Sequence, residues 1–166
     1  MGKRLWDYEP ISITGYSEDE SRLKPDIRIA RKGRQRPWFE GSIDWNYDPA
    51  ETDTVETKVW RSQTGSEYDY VQMPYAVPAT TFPDALKNLY KNMVVDNFGH
   101  CMQLPDLGEK PQLPIPWAHY VIDACVLTGT HFPERVPDGH YKIVVTFRGD
   151  FTWSLTIVAK IFQPPN

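Results

Sequence analysis

The sequence predicts an all-β protein, two antiparallel sheets packed face to face with one short helix at the side. Three observations carry this. Apolar and polar residues alternate in short runs along most of the chain, most clearly from Tyr120 to Phe162, and a period of two marks a half-buried strand. Aromatic residues make up 13% of the chain, and rings suit the pleated surface of a sheet. Fifteen prolines are spread along it; each removes a backbone donor and clashes in a helix interior, so they leave room for short elements. A chain of 166 residues with 40% apolar content is sized for a single domain, 1–166, whose core needs no metal.

The elements follow in order. Ile11-Ser12-Ile13-Thr14, Ile27-Arg28-Ile29-Ala30 and Phe39 to Trp45 alternate as strands do, and Arg31 to Pro37 between the last two reads as a hairpin tip turned at Gly33. A strand over Thr54 to Arg61 sets Val55, Thr57 and Val59 on one face, and a short one is expected at Tyr68 to Met73. From Pro83 to Val95 the period becomes helical, with Leu86, Leu89, Tyr90, Met93 and Val94 on one side and Pro83 and Asp84 as a start signal. Residues 103–117 hold four prolines and read as a loop. Strands at His119 to Leu127, His140 to Arg148 and Phe151 to Phe162 end the chain, the last two joined by a tight hairpin in which Gly149 is free to take positive φ.

A net charge of −4 offers no field to gather phosphate backbones, so nucleic acid is not an expected partner. No apolar run reaches the roughly 18 to 20 residues that cross a bilayer, and the first ten residues lack the apolar stretch of a signal peptide. Either the chain is cytosolic or its signal has been removed; Met1-Gly2-Lys3 reads like a start codon added to a mature chain. Cys101 and Cys125 allow one bridge, which would close about 25 residues and add roughly 3 kcal/mol, or two reduced thiols.

Chemistry-bearing patterns are sparse. Adjacent His100 and Cys101 do not make a nucleophile and base, and His119, His131 and His140 lack metal-ligand spacing. The acids at Glu18-Asp19-Glu20 and from Asp44 to Glu56 fall in turn-like segments where they are solvated. No G-x-S-x-G elbow, P-loop or G-x-G-x-x-G occurs, and no cofactor is expected. The basic run Arg28, Arg31, Lys32, Arg34, Arg36 suits a hairpin tip, with contact to anionic head groups or an acidic partner through the turn Arg31 to Arg36 as a further reading. The large apolar residues are more informative. Trp60, Tyr75, Met93, Trp117, Phe132, Phe147, Phe151 and Trp153, with Trp45, either fill the sandwich or line a cavity between its sheets, and the sequence leaves both open.

One arrangement of turns adds to this. Pro114-Ile115-Pro116 before His119-Tyr120-Val121, then Phe132-Pro133, then Val136-Pro137-Asp138-Gly139-His140-Tyr141 resembles the C-terminal half of ML-type lipid-recognition domains, in particular the insect secreted branch similar to the ganglioside activator protein and the chemosensory-B-type proteins. The resemblance implies an immunoglobulin-like β-sandwich, secretion through a signal peptide removed from this chain, and an apolar ligand between the sheets. It also implies a Cys101–Cys125 bridge, although the ganglioside activator carries several. The expected function is therefore that of a secreted, non-enzymatic carrier or presenter of a lipid or other apolar small molecule. His119, Tyr120 and Arg148 are candidates for polar groups at the cavity mouth. The alternative is a solidly packed module that binds a receptor or channel.

Overall fold

A computed structural model describes residues 4–75 and 77–165. Among the described residues, nine strands and one helix are found in the order β1 (Asp7–Ser17), β2 (Leu23–Ala30), β3 (Trp38–Trp45), β4 (Thr54–Ser62), β5 (Val71–Gln72), β6 (Val77–Thr81), helix α1 (82–98), β7 (Ala118–Cys125), β8 (Gly139–Arg148) and β9 (Thr152–Phe162). They form two antiparallel sheets, as the alternation predicts. The larger runs β1-β9-β8-β4, with β5 and β6 sharing the free edge of β4; the smaller runs β2-β3-β7.

Register explains why the apolar rows meet. In the larger sheet Ile13 lies beside Ile157, Ile157 beside Ile143, and Ile143 beside Val59. One step on, Leu155 neighbours Val145 and Trp153 neighbours Phe147, which neighbours Val55. Side chains of alternate residues share a face, so these rows form the inner surface. The smaller sheet answers with Leu23 beside Trp45, Pro25 beside Ile43 and Ile29 beside Phe39. Between Pro10 and Ser12 a bulge shifts the pairing of β1, which lets its inward side continue through buried Tyr8 and Pro10.

Several boundaries differ from expectation. β1 is longer than Ile11 to Thr14, and β6 was not expected; as an edge strand it tolerates the donor missing at Pro78. The helix runs 82–98 rather than 83–95, with the Thr81 hydroxyl accepting from the Asp84 N–H at 3.4 Å, and its middle, Leu86–Val95, is π-helical. Gly33 has φ of 57° as expected of the hairpin tip. Gly149 is a correction: it is not among the residues at positive φ, and it is needed because a Cβ there would lie 2.5 Å from the Asp53 carboxylate.

Cys101 and Cys125 are bridged, with Cα atoms 5.3 Å apart. The bridge fastens the chain after α1 to β7, where Gln103 donates to Val121 O at 3.0 Å and Asp123 to Cys101 O at 2.8 Å. The helix thus leaves the free edge of the larger sheet, at β6, and arrives at the free edge of the smaller one.

Candidate functional site

The inner faces of the two sheets form the candidate site. At one end the space between them is filled by rings. Phe147 stacks on Trp153 with centroids 3.8 Å apart, Trp45 meets Trp153 edge-on at 5.7 Å and Phe82 at 6.2 Å, and Tyr47 meets Phe151 at 4.9 Å. The Trp153 indole N–H donates to the Tyr47 hydroxyl at 2.9 Å, and burial pushes that hydroxyl up to about 12. The concavity beside these rings leaves no space for a water molecule. Trp153 is only 3% exposed.

Farther along the same faces the burial changes. Ile13, Val145, Leu155 and Ile157 of the larger sheet, and Ile27 and Ile29 of the smaller, point the same way as the sealed rings but are only half-buried. Aliphatic side chains on the inner faces of a filled sandwich interdigitate and lose contact with solvent. Here they keep accessible apolar surface beyond an aromatic floor.

The other end is closed by the chain itself. Trp6 stacks on Phe132 at 6.2 Å and donates to Pro133 O at 2.9 Å, and the N–H of Leu127 donates to the Tyr8 hydroxyl at 2.7 Å. The Arg4 and Arg36 guanidinium groups lie over the Tyr8 ring at 5.4 and 4.8 Å. Burial works to raise Asp7, but the Tyr8 N–H and the Arg36 guanidinium hold it below the usual carboxylate range.

Of the eight residues proposed from sequence to line a cavity, the structure brings together Phe147, Phe151 and Trp153, all in the ring cluster. Phe132 sits at the far end with Trp6. Trp60 is on the outer face, since it alternates with buried Val55 and Val59 and pairs with Lys142 and Gln72. Tyr75 and Trp117 stand on the surface, 47% and 61% exposed, the latter donating to Asp48 at 2.9 Å. Met93 is half-buried on α1. The polar candidates are also engaged: exposed His119 pairs with Asp44, the Tyr120 hydroxyl donates to Pro116 O, and Arg148 donates to Glu56 at 2.9 Å.

The basic turn is less free than its composition suggests. Arg31 reaches Glu9 and, at 2.9 Å, Pro10 O; Arg36 reaches Asp7 and, at 3.1 Å, Tyr8 O. Arg28 is paired with Glu40 at 2.7 Å. Lys32 and Arg34 remain exposed at the tip.

Sequence reasoning passed over Tyr47 and Phe82 in the floor and the aliphatic set above it. The signal for the latter was present, because Leu155 and Ile157 alternate in phase with Trp153, but large rings drew the choice. Among the described residues no group of three or more His, Cys, Asp or Glu side chains converges as metal ligands would.

Residues 55–143 match a protein family described as a protein of unknown function (DUF1091). The match takes in 89 of the 166 residues, from β4 through α1 and the disulfide into β8. No curated protein matches the chain.

Proposed function

The chain belongs to the DUF1091 family, and we propose that it is a secreted, non-enzymatic carrier of a lipid or similar apolar small molecule held between its two sheets. The supporting observation is the half-buried row Ile13, Leu155, Ile157 facing Ile27 and Ile29. Apolar surface left accessible inside a sandwich gains about 25 cal/mol for each Å² that a ligand covers, so hydrocarbon is held there without a charged partner. The order of turns resembling ML-type lipid-recognition domains points the same way, and so does a disulfide, which persists in oxidising compartments.

Organic extraction of the purified protein followed by mass spectrometry, with titration of a fluorescent fatty acid, tests this. We expect one apolar molecule per chain, and we expect Leu155→Trp, which puts bulk into the space, to weaken the fatty acid at least tenfold while the circular dichroism stays unchanged. Recovery of no apolar molecule together with no fluorescent binding rejects the carrier.

A second reading, a module that docks on another protein, is favoured by one observation. Tyr68, Val71 and Tyr75, around the short edge strand β5, are 99%, 66% and 47% exposed, and exposed aromatic clusters mark binding surfaces. On that reading the Tyr68→Ala, Tyr75→Ala double variant loses a partner and keeps any bound lipid.

A further inference from the structure

We propose that a ligand enters and leaves the space between the sheets through the seam spanned by α1 and the proline loop 103–117, with the Tyr90 hydroxyl as the latch of that seam. This rests on the carrier reading above. The other three borders of the space are closed by direct contacts. At one end stand the rings of Trp45, Phe147 and Trp153, and at the other Trp6, Phe132 and Tyr8. Along one side β1 and β2 touch: a Cβ at Gly15 would lie 2.8 Å from the Pro25 ring, and Arg31 and Arg36 reach across to the carbonyls of Pro10 and Tyr8.

The remaining side is built differently. The edges there, β6 of the larger sheet and residues 101–103 beside β7 of the smaller, belong to separate sheets, and α1 crosses from one to the other. Its first turn is anchored through buried Phe82, Ala85 and Leu86. Its last is anchored through Asn97 and the disulfide. Between these anchors Leu89 and Tyr90 are half-buried against the core, and the backbone is π-helical for ten residues. Such geometry is usually confined to single-turn bulges and is frequent at functional sites. The loop lies against this middle portion, where the Tyr90 hydroxyl donates to Pro105 O at 2.8 Å. Burial pushes the hydroxyl up to about 12, so it remains a donor at physiological pH. A segment fixed at both ends, whose middle is held by the packing of Leu89 and Tyr90 and of Leu107, Leu113 and Ile115 in the loop and is tied to the loop by the Tyr90 hydrogen bond, opens without breaking either sheet.

Stopped-flow displacement of cis-parinaric acid by excess oleate from the full chain tests the route. Tyr90→Phe is expected to speed dissociation about two- to tenfold, as loss of one closing hydrogen bond predicts, with the equilibrium constant changed less than twofold. Arg31→Ala, which loosens the opposite side, is expected to exchange at the wild-type rate. In the wild-type protein, bound oleate is expected to slow amide hydrogen exchange over 86–95 more than over β1, a measurement that stands even where a variant folds poorly. If cis-parinaric acid does not bind at all, the route falls, and where extraction also recovers no apolar molecule the carrier reading falls with it. If it binds but Tyr90→Phe dissociates at the wild-type rate, or Arg31→Ala accelerates as much, or β1 gains the protection instead, the route alone is overturned.

Discussion

Asn97 is wholly buried and ties α1 to residues 128–130. Its amide N–H groups donate to Asn92, Met93 and Thr130 carbonyls at 3.2 Å each, and its oxygen accepts from Gly129 N and the Thr128 hydroxyl at 3.0 Å. Asn97→Ala strands the buried Gly129 N–H and unties α1 from residues 128–130, and we expect it to cost about 2–3 kcal/mol, read as a lower urea midpoint at unchanged slope. Tyr47 supplies a pH dependence. Its hydroxyl is raised from the ordinary value near 10 to about 12, so the folded state resists losing that proton more than the unfolded state does. The resulting stability is complete below pH 10 and is lost as pH rises through 12. Denaturation curves between pH 9 and 12 are expected to show a shallower alkaline decline for Tyr47→Phe than for the wild-type chain. Neither role was legible in the sequence. Asn97 sits in a helix-end Asn-Phe-Gly run that reads as a stop signal, and only the return of residues 128–130 gives its amide partners. Trp153 was legible because its strand has a perfect period; Trp60 was assigned inward because its alternation with Val55 and Val59 was weighed less than its size.

At the level of elements, the long strands were the easiest to read. β8 and β9 have rows of apolar residues in one phase over ten and eleven residues, and no competing helix period exists there. β6 escaped because five residues containing a proline carry too little pattern. The π-helical turn of α1 escaped because apolar positions 86, 89, 90, 93 and 94 satisfy the ordinary helical period equally well. The bridge between Cys101 and Cys125, 24 residues apart, followed from the resemblance and not from spacing. It holds the end of α1 on the edge of β7. Removing it by Cys101→Ala with Cys125→Ala is expected to cost about 3 kcal/mol, seen as a lower melting temperature matched by the reduced wild-type protein. The seam between β1 and β2 depends on the missing side chain at Gly15, and Gly15→Val is expected to destabilise by at least 1–3 kcal/mol through the clash with Pro25, measured by the same melts.

For the whole molecule, the two-sheet architecture was legible because it follows from alternation, whereas the contrast between the sealed rings and the half-buried aliphatic row depends on how the two sheets pack. That packing joins residues from both sheets and α1, and no single residue encodes it. The strand order carries one last consequence. β1 and β9 are hydrogen-bonded neighbours although every other strand lies between them in sequence, so the larger sheet cannot close until all of those strands have been made. Pairings so distant in sequence make folding slow, on the millisecond-to-second scale of sandwich proteins. Until β9 docks, β1 and β8 each offer an unsatisfied edge to any other nascent copy, and production of this protein is expected to be limited by how quickly β9 arrives.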